Sequence, residues 1–131
     1  MYNSKYYQSL KKPKITPSPR FFQIIWIILY ILMFISLYIV IIKPVSAYRT
    51  TGILFFFLQF ILNIIWAPIF FIYKNMKLAL LVCILLTIFI GITLYLFSKI
   101  SIIAAFLLIP YFVWSMFACY LIFSIIELNK N

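Results

Sequence analysis

Residues 21–42 read FFQIIWIILYILMFISLYIVII, twenty-two positions without a charge. Wound as a helix, that run is about 33 Å long and spans a hydrocarbon core of about 30 Å. Val45-Ser46-Ala47 has the small residues of a cleavage site, but a secretory signal carries an apolar core of only about 7–15 residues. The run is therefore read as a retained helix. Three more uncharged stretches follow, at 53–73, 78–97 and 102–126. A turn carrying Lys43, Pro44, Arg49 and Gly52 precedes the first of these; Lys74-Asn75-Met76-Lys77 and Ser98-Lys99-Ile100-Ser101 precede the others. The expectation is one all-α domain over 1–131, a polytopic bundle of four transmembrane helices. Residues 1–20 form a basic, proline-containing segment ahead of it.

Composition points the same way. The chain is 68% hydrophobic and 9% charged, where a soluble domain is roughly 45–50% apolar and about 25% charged. Its mean hydropathy is +1.22. Membrane lipid is thus its first partner. The missing residue types exclude much else. Without His or Asp, and with Glu127 alone, no Ser-His-Asp triad, carboxylate pair or His/carboxylate metal site can be assembled. No catalytic residue, metal ligand or cofactor is expected. Cys83 and Cys119 lie in separate apolar runs and read as small hydrophobes.

The net charge of +10 does not mark a nucleic-acid surface, because the cations flank the apolar runs instead of sharing one face. They set an orientation. Lys5, Lys11, Lys12, Lys14, Arg20, Lys74, Lys77 and Lys130 fall on one side, against Lys43, Arg49 and Lys99 on the other. The richer side is expected to be cytoplasmic, which places both termini inside a bacterial cell membrane.

Polar and aromatic residues form stripes within the spans. Gln59, Asn63, Trp66 and Phe70 recur at i, i+4, i+7 and i+11, one face of a helix. Trp26, Tyr30 and Met33, with Gln23 one turn earlier, make a second stripe; Tyr111, Trp114, Ala118 and Leu121 make a third. Trp66 and Trp114 lie well inside their runs, away from the interface where Trp usually collects. Two readings stand side by side. The stripes pack the helices together with Asn63 as interhelical glue, or they line an aromatic pocket whose few polar groups orient a flat apolar ligand. Pro68 and Pro110 fall inside helices and are expected to kink them. With Gly52 and Gly91 the sole glycines and no GxxxG, bulky aromatic packing is expected to hold the bundle.

These motifs resemble the TspO/translocator protein family, the tryptophan-rich sensory proteins or peripheral-type benzodiazepine receptors. Tyr6-Tyr7-Gln8-Ser9-Leu10-Lys11-Lys12-Pro13 with Pro17 resembles the family's W-Y-x-x-L-x-K-P-x-x-x-P-P segment. Phe22, Trp26, Leu29 and Tyr30 match F-x-x-x-W-x-x-L-Y, and residues 62–71 match L-N-x-x-W-x-P-x-F-F. Pro110, Tyr111, Trp114 and Ala118 match P-Y-x-x-W-x-x-x-A, and Leu128-Asn129 the closing L-N. The blocks keep family order and spacing over nearly the whole chain. Departures accompany them. The family pattern has five helices, and the first is absent here, either through the assigned gene start or because this is a four-helix variant. Tyr6 replaces a Trp, Ser18 a Pro and Val82 an acidic residue; the Asn of A-x-x-L-N is lost at Ile122. A cholesterol-type pattern at Leu32, Tyr38 and Lys43 is of a kind that matches often by chance, and it is discounted.

The resemblance implies a pocket between helices that accepts porphyrins, haem-related tetrapyrroles and benzodiazepine-type drugs, serving transport, sensing or regulation. Carried over by motif, its ligand-binding residues are Tyr7, Trp26, Tyr30, Asn63, Trp66, Trp114 and Ala118. Lys11, Lys12 and Lys14 would form a cationic rim for propionates. The resemblance also implies a homodimer. Light-driven porphyrin degradation, proposed for some members, would belong to light and ligand, since the chain has no acid–base machinery; it is read as a non-enzyme. A small proton-coupled drug exporter is the alternative, but every span lacks the ionisable group such coupling needs. A structural membrane protein without a ligand is the third reading.

Overall fold

The computed structural model describes Leu10 and residues 19–129. These form four helices: α1 (Pro19–Ile41), α2 (Ala47–Phe71), α3 (Met76–Ser98) and α4 (Ile102–Leu128). All four are long and apolar enough to cross a membrane. Only about a third of each span is buried within the protein. The rest presents large apolar side chains outward, among them Ile27, Phe57, Ile61, Leu81 and Phe106. A water-soluble bundle would bury that surface; here lipid covers it, and the chain is a multi-pass integral membrane protein.

Local chemistry sets the helix ends. Pro19 opens α1, where its missing N–H forfeits no helical bond. The α1 helix stops ahead of Pro44, which disfavours helical geometry at Lys43. Ser46 caps α2, its hydroxyl accepting from the Arg49 N–H at 3.2 Å. Asn75 caps α3 through the Leu78 N–H at 3.1 Å, and Ser101 caps α4 through the Ala104 N–H at 3.3 Å. Each cap satisfies a donor that the first turn leaves without a helical acceptor. Lys74, in the α2–α3 turn, takes the left-handed conformation at φ 57°.

The α2 helix begins earlier than the apolar run suggests, and that corrects the reading of its approach. Arg49 and Gly52 are not turn residues; both lie in the first turns of α2. The Ser46 cap starts the helix there, and the Arg49 guanidinium reaches back to donate to the Ile41 carbonyl at 2.9 Å. A cation thus meets the C-terminal end of α1, where free carbonyls and the helix dipole favour it. Gly52 is instead a contact residue. A Cβ there would stand 3.1 Å from the Phe97 ring and 3.4 Å from Leu96 Cβ on α3. Gly91 similarly faces Phe112 of α4. Both glycines thus make room for an aromatic ring of the neighbouring helix.

The helices follow one another around a ring: α2 packs on α3, α3 on α4, and α4 on α1. Between α1 and α2 the backbones approach at few points. Phe56 and Phe97 stack at 6.1 Å across α2 and α3. The Ser36 hydroxyl donates to the Ala104 carbonyl at 2.8 Å, joining α1 to α4 inside the core. The α1 and α2 backbones stand further apart and are bridged by large side chains, with Phe34 of α1 packing edge-on against Phe60 at 5.5 Å and Phe56 at 6.3 Å; the candidate site lies in that seam.

Candidate functional site

Helical spacing puts Trp26, Tyr30 and Met33 on the inward side of α1, and Gln59, Asn63 and Trp66 on the inward side of α2. Where the two faces meet, they enclose a crevice of about 400 Å³. Gln23, Trp26, Ile27 and Tyr30 line it from α1, and Asn63, Trp66 and Ala67 from α2. The Trp26 and Trp66 rings stand 6.2 Å apart, tilted by 40°. Trp26 also lies 6.0 Å from the Tyr30 ring and edge-on to Tyr111 at 6.3 Å. The result is an aromatic wall, with Tyr30 and Asn63 as its polar end.

That polar end continues into a directed hydrogen-bond chain. The Tyr30 hydroxyl donates to Asn63 Oδ1. Asn63 Nδ2 donates to the Tyr111 hydroxyl at 2.6 Å, and that hydroxyl donates to Gln59 Oε1 at 2.6 Å. Gln59 Nε2 ends the chain against the Met33 sulfur at 3.8 Å. Five side chains from α1, α2 and α4 are thereby connected. Gln59, Asn63 and Tyr111 are all buried, where an unmet polar group in hydrocarbon would cost several kcal/mol. The chain fixes the rotamers of Tyr30 and Asn63 at the crevice. By contrast, the Trp26 Nε1 is buried with no hydrogen-bond partner among the described residues, beside the same cavity.

Of the seven residues carried over by motif, the structure gathers four, Trp26, Tyr30, Asn63 and Trp66, around one crevice. Trp114 is not among its lining. The half-buried Trp114 ring packs edge-on to Phe22 at 5.4 Å and lies 5.2 Å from Phe117, so it packs against the core and joins α4 to α1. Ala118 is buried in the core and does not line the crevice either. Tyr7 lies outside the described residues, as do Lys11, Lys12 and Lys14. Gln23, Ile27 and Ala67 join the lining; their positions, three residues before Trp26, one after it and one after Trp66, were the available signal.

A larger groove, about 810 Å³, opens elsewhere, among α2, α3 and α4. Phe55, Ile88, Phe112 and Met116 dominate its wall, with Thr51, Thr87, Tyr95 and Cys119 as scattered polar points. It has more volume but lacks the convergent polar groups that orient a ligand. Cys83 and Cys119, read as small hydrophobes, belong to the apolar core or pack against it, and their sulfurs are 3.2 Å apart. They are 36 positions apart on different helices, and no spacing rule joins them. Among the described residues, no group of three or more His, Cys, Asp or Glu could hold a metal ion.

A model of the TspO/MBR family matches residues 1–128. The tryptophan-rich protein TspO of Chlorobaculum tepidum is 36% identical over 127 residues, covering 96% of this chain and 80% of that protein. An uncharacterized membrane protein of Bacillus subtilis, YtaB, is 37% identical over 131 residues, covering 97% and 82%. The tryptophan-rich sensory protein of Cereibacter sphaeroides is 31% identical over 129 residues, covering 97% and 78%.

Proposed function

This chain belongs to the TspO/MBR family, and from that premise we propose that it binds a porphyrin or related flat apolar ligand between α1 and α2. The binding would serve tetrapyrrole transport, sensing or regulation. The observation that carries this reading is the crevice itself. It pairs two tryptophans at 6.2 Å with a hydrogen-bonded Tyr30–Asn63 end in about 400 Å³. Flat aromatic ligands gain from stacking and edge contacts with such rings, and the polar end gives the ligand a direction. Pockets of this kind, mostly apolar with few polar groups, commonly measure about 300–1,000 Å³. The protein is proposed as a binder and not an enzyme, embedded in the cell membrane with both termini cytoplasmic, and able to pair as a homodimer.

Protoporphyrin quenching of intrinsic tryptophan fluorescence tests the site. Trp66→Leu and Asn63→Ala each weaken binding, with about 1–2 kcal/mol lost for a stacking ring or a buried hydrogen bond. Trp114→Phe leaves the affinity near that of the parent. Unchanged affinity in both crevice variants would overturn the assignment.

A further inference from the structure

The second polar cluster lies between α3 and α4, away from the crevice. Cys119 Sγ is 3.2 Å from Cys83 Sγ and 3.4 Å from Thr87 Oγ1. Thr87 Oγ1 is 2.6 Å from Ser115 Oγ and donates to the Cys83 carbonyl at 2.9 Å. Cys83 Sγ points to the Ser115 carbonyl at 3.9 Å. The two thiols differ in access. Cys83 is only 1% exposed, whereas Cys119 is half-buried and, with Thr87, lines the 810 Å³ groove. One sulfur is reachable and the other waits behind it.

We propose that Cys83 and Cys119 form a reversible dithiol–disulfide site that ties α3 to α4, oxidised by an apolar organic hydroperoxide entering through the groove. The separation favours the bond. A disulfide is about 2.05 Å long, so the sulfurs must approach by only about 1.1 Å from their 3.2 Å contact. An isolated buried thiol is inert, but two held in contact react with the high effective concentration of an intramolecular pair. The groove selects the oxidant. Its lining residues lie within the membrane spans and are mostly apolar, so a hydroperoxide carried on a hydrocarbon, such as an oxidised acyl chain, enters where a hydrated peroxide does not.

The chemistry proceeds in two displacements. The Cys119 sulfur attacks the terminal oxygen of the hydroperoxide; the S–O bond forms as the O–O bond breaks. The alcohol leaves with the thiol proton, and Cys119 becomes a sulfenic acid. The Cys83 sulfur then attacks the Cys119 sulfur, forming the S–S bond and expelling hydroxide, which departs as water with the Cys83 proton. Overall, dithiol and hydroperoxide give disulfide, alcohol and water. The peroxide gains the two electrons that the sulfurs lose. The Thr87 hydroxyl, 3.4 Å from Cys119 Sγ and 2.6 Å from Ser115 Oγ, can take and pass on the Cys119 proton.

The test uses the full chain in lipid nanodiscs, treated with cumene hydroperoxide or, in parallel, hydrogen peroxide. Free thiols are counted by maleimide labelling after denaturation, and the intact mass is measured. The expected result is joint loss of both thiols within one chain, a mass lower by two hydrogen atoms, and recovery with reductant. Cumene hydroperoxide is expected to act faster than hydrogen peroxide. Cys83→Ser, checked for helicity and monodisperse elution, should accumulate a Cys119 sulfenic acid trapped by dimedone. Cys119→Ser should leave Cys83 unmodified. Loss of the Cys119 thiol with Cys83 still free in the parent chain overturns the proposal, as does bridging between chains. Full retention of both thiols in the folded protein, at a dose that oxidises the denatured chain, overturns it too. Faster oxidation by hydrogen peroxide overturns the groove as the route.

Discussion

An amide side chain at membrane depth has no water to turn to, so Asn63 and Gln59 depend wholly on protein partners. Tyr111 serves both, accepting from Asn63 and donating to Gln59 at 2.6 Å each. Removing its hydroxyl leaves a donor and an acceptor unmet together. Tyr111→Phe is therefore expected to cost about 1–2 kcal/mol. Tyr30→Phe, which strands only Asn63 Oδ1, should cost less. Unfolding in mixed micelles ranks the two, and the reverse order would remove Tyr111 from the centre of the network. The members of this chain were legible beforehand as helical stripes, since Gln59, Asn63, Tyr30 and Tyr111 are spaced to share faces. The bonds between them were not. Periodicity tells which side of a helix a residue occupies, not which neighbour it meets.

Among the helices, α2 carries the most specific demands. Its start depends on Ser46, and its approach to α3 depends on Gly52. Ser46→Ala loses the capping acceptor and should destabilise the protein by about 1 kcal/mol. Gly52→Leu drives a branched side chain into the Phe97 ring, which a Cβ alone would already approach to 3.1 Å. Overpacking of that kind costs about 1–3 kcal/mol. Phe97→Ala in the same chain should recover part of the loss by vacating the space, and a thermal-shift series reads the recovery. No recovery in the double variant would show that Gly52 serves some other purpose. The apolar run from 53 to 73 announced a helix here. Its true start at Ala47 was less visible, because Arg49 and Gly52 break the hydropathy pattern while the Ser46 cap sustains the backbone.

Over the whole molecule, eight basic residues against three favour one orientation in the membrane. Reporter fusions at each terminus are expected to show both inside the cell; periplasmic activity at the C-terminus would reverse the topology. The ring of helices also explains why the candidate site lies where it does. The α2–α3, α3–α4 and α4–α1 pairs approach closely along their backbones, whereas α1 and α2 meet mainly through large side chains. A ligand entering that seam meets the crevice that those side chains leave beside Trp26 and Trp66.

Hydropathy and charge are properties of the chain read in one dimension, and they settled the all-α class, the four spans and the motifs of the TspO/MBR family before any folding was considered. They could do so because a bilayer imposes length, apolarity and internal hydrogen bonding on each span separately. The meeting of residues from different helices had to come from the packed bundle. It placed Trp26 opposite Trp66 in an open seam, turned Trp114 toward Phe22, and brought Cys83 to Cys119. Those outcomes depend on how each helix is rotated and how far it is shifted along its neighbour. Rotation and shift are set jointly by many small contacts, such as Gly52 under Phe97 and Ser36 against the Ala104 carbonyl, that no single segment contains.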